Sequence, residues 1–96
     1  MAKGYWIAHI TVTNADKYPE YVRLDTPIIE KFGGKFLVRG GTSLAPEDPM
    51  KDRHVVVEFP DYATALAAYN SPEYQEAAAI RRANSESVIV IVEGAA

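Results

Sequence analysis

The sequence predicts an α+β fold in the order strand, helix, strand, strand, helix, strand. Three observations predict it. Four short segments carry the β-branched content or two-residue alternation of strands. Two longer segments repeat their apolar residues at helical spacing. Glycine, proline and short polar residues punctuate the boundaries between them.

Tyr5 to Val12 alternates and is rich in aromatic and β-branched residues, as a half-buried strand requires. Asn14 or Asp16 then supplies a helix cap. Tyr18, Tyr21, Val22, Ile28, Ile29 and Phe32 fall at helical spacing behind it. Thr26-Pro27 marks a kink or the start of a second helical piece, because proline clashes with the preceding turn. Gly33-Gly34 ends the helix. Lys35 to Arg39 is a second strand, closed by Gly40-Gly41, and residues 42–52 have a loop composition. Arg53 to Phe59 is a third strand, most simply joined to the second as a hairpin. Asp61 caps the next helix. Asn70-Ser71-Pro72-Glu73 restarts it: Ser71 caps, Pro72 suits the first helical position and Glu73 faces the positive end of the helix dipole. The last helix ends near Arg82 or Ala83, and Ser87 to Glu93 is the final strand.

This order is the ferredoxin-like arrangement, a four-stranded antiparallel sheet of order 4-1-3-2 with both helical segments on one face. Residues 1–96 form a single domain with no internal linker. One strand face, Trp6, Ala8, Ile10, Val12, Phe36, Val38, Val55, Val57, Phe59, Val88, Val90 and Val92, is nearly all apolar and should meet the helices. The other, Tyr5, Ile7, His9, Thr11, Leu37, Arg39, His54, Val56, Glu58, Ile89, Ile91 and Glu93, is mixed but too apolar for water. No chain remains to cover it. A second copy is the economical cover, which predicts a homodimer with two sheets face to face, a dimeric α/β barrel.

Composition excludes several classes. The 96 residues carry a net charge of −3, with ten Lys and Arg scattered among thirteen acids. Nucleic acid and anionic membrane are therefore poor partners. No cysteine is present, so disulfides, thiolate metal sites and a cysteine nucleophile are excluded. The chain begins without the apolar run of a signal peptide and has no stretch approaching a membrane span, so a cytoplasmic location is expected. Gly-rich phosphate loops, the Gly-x-Ser-x-Gly elbow and metal-binding histidine motifs are missing, and no cofactor is expected.

Several blocks match a known family. They are Gly4-Tyr5-Trp6, the run Gly33-Gly34-Lys35-Phe36-Leu37-Val38-Arg39-Gly40-Gly41, Val56-Val57-Glu58-Phe59-Pro60, Tyr69-Asn70-Ser71-Pro72-Glu73-Tyr74, Arg81, and Val92-Glu93-Gly94. Over nearly its whole length the chain resembles the DUF1330 family of small bacterial proteins, a branch of the dimeric α/β barrel superfamily. The resemblance implies the ferredoxin-like fold and the dimer. It implies no reaction, because the family is named for an unknown function. The wider superfamily includes cofactor-independent monooxygenases, muconolactone isomerases, haem-binding peroxidases and stress-responsive barrel proteins, and fold does not transfer chemistry among them.

Two constellations are candidates for function. On the mixed face, Arg39 offers a rigid fork of donors for a carboxylate or enolate, His9 is a general base near neutral pH, and Glu58 orients His9 or holds Arg39. An Arg39–Glu58 ion pair is the structural alternative. Tyr5 and His54 lie on the same face as ligand-binding candidates. His54 and Glu58 stand four apart on a strand, about 13 Å between Cα atoms, too far to share one metal ion; no metal site is expected. The second constellation is Tyr69, Ser71, Tyr74 and Arg81 around the helix restart, where a helix start can receive an anion. Capping and core packing explain Ser71 and the tyrosines equally. Two functions remain open: a cofactor-independent enzyme moving a proton on a small anionic or oxygenated organic molecule, by isomerisation or monooxygenase-like chemistry, and a non-catalytic binding or stress-associated scaffold.

Overall fold

The computed structural model describes residues 2–47 and 51–95. The element order is β1 (Gly4–Val12), α1 (Tyr18–Lys31), β2 (Lys35–Arg39), β3 (Arg53–Phe59), α2 (Tyr62–Asn70), α3 (Pro72–Asn84) and β4 (Ser85–Glu93). The strands form one antiparallel sheet of order β2-β3-β1-β4, the expected order read from its other edge. Of the predicted loop, residues 48–50 lie outside the described residues.

The helix signals act as their chemistry requires, with two differences. Asp61 accepts a hydrogen bond from the Thr64 amide at 2.7 Å, and Ser71 accepts one from the Tyr74 amide at 3.2 Å. Gly33, at φ +80°, turns the chain out of α1. The first difference is at the start of α1. Neither Asn14 nor Asp16 caps it: Asn14 accepts from the Asp16 amide in a local turn, and Lys17 occupies the cap position without a side-chain bond. The second is that α1 runs unbroken through Pro27. The Thr26 hydroxyl donates to the Val22 carbonyl at 2.7 Å within the turn that proline disturbs.

The core lies between the sheet and the helices. Tyr74, Phe59, Ile29 and Val57 are its largest fully buried side chains. Trp6 packs against Phe59 and Tyr74 at ring-centroid distances of 5.0 and 4.7 Å, and its indole N–H donates to the Ala65 carbonyl at 2.9 Å.

Two face assignments differ from the sequence expectation. In β4, Ile89 and Ile91 lie opposite Ala8 and Trp6 and pack on the core, whereas Val88, Val90 and Val92 lie opposite His9, Ile7 and Tyr5 and are 40–55 % exposed. A strand of unbroken Val and Ile has no polar phase of its own, so pairing with β1 decides it. In β2 the register slips by one residue at Leu37: Phe36 pairs with Val57, but Val38 pairs with Val56 and Arg39 with Val55. This bulge reverses both residues. Val38 joins the open face and Arg39 turns towards the helices.

The slab is 17 Å along its shortest axis, room for one sheet and one helical layer. Among the described residues nothing covers the second sheet face. Because Phe59 is only 1 % exposed in a dense aromatic cluster, Phe59→Ala should destabilise the fold by about 3–5 kcal/mol in urea denaturation.

Candidate functional site in the sheet–helix cleft

The expected constellation on the mixed sheet face does not assemble. His9 and His54 are direct cross-strand partners, with Nδ1 atoms 2.8 Å apart. One donates and the other accepts, so each occupies its neighbour. Tyr5 lies opposite Glu58 and donates its hydroxyl to Oε2 at 3.1 Å; that bond is the first cause holding the Tyr5 phenol above its usual range. Glu58 therefore neither orients His9 nor holds Arg39. The bulge carries Arg39 to the other side of the sheet, where it hydrogen-bonds Thr26, lies 3.7 Å from the Asp25 carboxylate and covers the Phe36 ring at 3.8 Å.

The second constellation divides. Ser71 is a cap, its hydroxyl also donating to the Ala68 carbonyl at 2.8 Å. Tyr69 stacks edge-on against Trp6 at 5.9 Å. Tyr74 and Arg81 are buried and line a cleft between sheet and helices whose cavity volume is about 30 Å³.

That cleft is the candidate site. The strands give it an apolar floor of Trp6, Ala8, Ile10, Val55, Val57 and Ile89. The polar groups are Tyr18, Tyr21 and Asp25 from α1, Tyr74 and Arg81 from α3, Arg39 from β2 and Arg53 from β3. The hydroxyls of Tyr21 and Tyr74 share a hydrogen bond of 2.7 Å, and either can donate. Burial raises both phenols, so both remain protonated donors. Asp25 is only 5 % exposed. Burial pushes its carboxyl up to about 6, against the opposing pull of Tyr21, Arg39, Thr26 and Arg53. Arg81 donates to the Ser87 hydroxyl, and its guanidinium lies 5.9 Å from the Tyr21 ring. Arg53 lies 5.7 Å from the Tyr18 ring. Gly40, at φ +66°, leaves the space beside the Arg53 guanidinium that a Cβ would fill.

Asp25, Arg53 and the α1 tyrosines were not among the predicted site residues. A signal for them existed. Asp25 sits four residues after Tyr21 and four before Ile29, on the stripe that α1 buries. Arg53 is two residues before Val55, in the phase that faces the helices. A charge on a buried stripe marks a site or a buried ion pair. Among the described residues, no group of three or more His, Asp or Glu is placed to hold a metal ion, and no helix is long and apolar enough to cross a membrane.

An α+β ferredoxin-like domain with a polar-lined cleft between its sheet and its helices is the class this geometry defines. The model of a domain of unknown function, DUF1330, matches residues 3–95, and the chain belongs to that family. Solved structures share its fold. A protein of unknown function from Rhodopseudomonas palustris is 21 % identical, with a TM-score of 0.76 over 99 % of this chain and 84 % of that one. A dimeric ferredoxin-like protein of unknown function from Jannaschia is 16 % identical, with a TM-score of 0.73 over 95 % of this chain and 98 % of the other. SnoaB, a cofactor-independent oxygenase from Streptomyces nogalater, is 19 % identical, with a TM-score of 0.66 over 100 % and 96 %. No curated protein matches the chain by sequence.

The raised Asp25 pKa has a defined consequence for stability. Its folded-state value of about 6 lies above the ordinary 3.8, so the native state binds this proton more tightly than the unfolded chain. Stability from this group is full below pH 4 and is lost as pH rises through 6. Asp25→Asn should therefore stabilise the protein at pH 8, by about 2–3 kcal/mol if the amide keeps its neighbours, and flatten the stability profile between pH 4 and 7. Thermal melts across that range check it.

Proposed function

We propose that this protein is a cofactor-independent enzyme that transfers a proton on a small anionic or oxygenated organic molecule bound in the sheet–helix cleft. The observation that carries this reading is Asp25, a buried carboxylate held near 6 beside two protonated phenols. A base of that strength is about half ionised near pH 6 and releases its proton readily. Tyr21 and Tyr74 supply hydrogen bonds to a developing oxyanion. Arg39 sits at the carboxylate and keeps its ionised form accessible. The general-base role expected of His9 thus passes to Asp25, and Arg39 remains in the site as the partner of that base. The likeness to a cofactor-independent oxygenase is one of fold, and it fits a reading in which the chain's own side chains do the chemistry.

The test needs no knowledge of the natural substrate. A panel of small keto acids and 1,3-dicarbonyl compounds is incubated with the protein in D2O, and NMR follows deuterium entry at the activated C–H. Wild type should accelerate exchange for at least one class at least 100-fold over Asp25→Asn. Equal rates in the two proteins would leave the cleft as a binding site, the scaffold reading.

The same reading makes the protein a homodimer through its open sheet face. Val38, Val88, Val90 and Val92 are all at least 40 % exposed there. Two polar pairs sit among them, Tyr5 with Glu58 and His9 with His54, each joined by a hydrogen bond across strands. Three solved neighbours are described as dimeric. Native mass spectrometry should show twice the chain mass. Val90→Asp, at the centre of the face opposite Ile7, should give a monomer with an unchanged far-UV spectrum. A wild-type monomer at micromolar concentration would end the dimer reading.

A further inference from the structure

We propose that the molecule in this cleft is a carboxylic acid, and that its carboxylate is held by Arg81 and Arg53, apart from the Asp25–Arg39 pair. The inference rests on the reading of the cleft as the functional site and adds which group is recognised and where.

The argument begins with unsatisfied donors. Arg81 is 5 % exposed, and its Nε has no hydrogen-bond partner. The Nε of Arg53 is likewise buried and unpartnered. Both side chains line the cleft. Buried donors are almost always paired, and two guanidinium donors left open in one cavity point to an acceptor that enters it.

Charge leads to the same place. Three arginines and one carboxylate line the cleft. Asp25 is engaged by Arg39, at 3.7 Å. Among the described residues, Arg53 and Arg81 form no ion pair. Burying guanidinium without a counter-charge is costly, and removal of one partner from a buried pair leaves the other uncompensated. Asp25, the one carboxylate lining the cleft, serves Arg39 and also attracts Arg53, so the three guanidinium charges exceed it and an entering anion would balance them.

Position makes the two arginines one subsite. Ile10 of β1 is flanked by Arg53 on β3 and by Ser87 on β4, and Ser87 is the hydroxyl that Arg81 contacts. Both guanidinium groups are thereby fixed at one end of the sheet. The chemistry of the walls selects the anion. The surrounding groups are the rings of Tyr18 and Tyr21 and the apolar Ile10 and Val55. This surface suits a flat two-oxygen anion with an apolar body, and guanidinium forks match carboxylate geometry. With the carboxylate seated there, the rest of the molecule extends along the floor towards the tyrosine pair and Asp25.

The experiment is a titration of the full-length protein, labelled with 15N-arginine, against benzoate, benzamide and inorganic phosphate. The Nε–Hε cross-peaks of Arg53 and Arg81 should move saturably with benzoate, while those of exposed Arg23 stay in place. Benzamide should bind at least tenfold more weakly, and Arg81→Gln should cost benzoate at least tenfold. Should Arg81→Gln fail to fold, Arg53→Gln reports on the same subsite from its less buried partner. No saturable shift, equal binding of benzamide, or tighter binding of phosphate would each overturn the proposal. Asp25→Asn should still bind benzoate, so failure of the proton-transfer reading and failure of this one are separately visible.

Discussion

The register of β1 against its two neighbours decides which side chains meet the helices and which remain on the open face. β1 is paired along both edges, to β3 over Gly4–Ile10 and to β4 over Gly4–Val12. Side chains alternate with a period of two, so a slip of one residue on either side would exchange the two faces. The consequence reaches the site directly. With Ile10 facing the helices, Arg53 and Ser87 face them too, and the cleft receives both its second arginine and the anchor of its third.

Much of this fold was legible because local chemistry and global topology agree. The Ser71-Pro72-Glu73 restart, the Asp61 cap and the Gly33-Gly34 stop each carry their own physical reason, and each stands where the sequence puts it. The bounds of β2 and β3 also coincide with those expected. The site was less legible, for a reason of phase. A bulge has no signature in Phe36-Leu37-Val38, and it moves Arg39 across the sheet. β4 offers only Val and Ile, so its phase is set from outside. Asp25 was readable from its place on the buried stripe of α1, but a count of apolar residues passes over a charge among them.

The cleft's electrostatics follow from what surrounds Asp25. Burial favours its neutral form, while Arg39 and Arg53 favour its charge, and burial prevails by enough to place the group near 6. The two arginines keep the carboxyl within the range where a proton can be both taken and returned. The buried Tyr21–Tyr74 bond supports this arrangement mechanically: it joins α1 to α3 above the sheet and fixes the ring that lies against Arg81.

The two faces of the sheet differ in one respect that separates structure from chemistry. On the open face two polar pairs form across strands, phenol with carboxylate and imidazole with imidazole. They lie among exposed valines, on the face proposed for the dimer. On the helix face the balance is reversed. The aromatic cluster packs closely, yet two guanidinium nitrogens remain without acceptors in the same cleft as a carboxylate forced towards neutrality. A fold selected for stability alone would fill that end with hydrocarbon, since hydrophobic replacement of buried charges is neutral or favourable. Arg39 has its counter-charge in Asp25; an entering carboxylate, as proposed, would supply one for Arg53 and Arg81, which would divide recognition in the cleft from assembly on the opposite face.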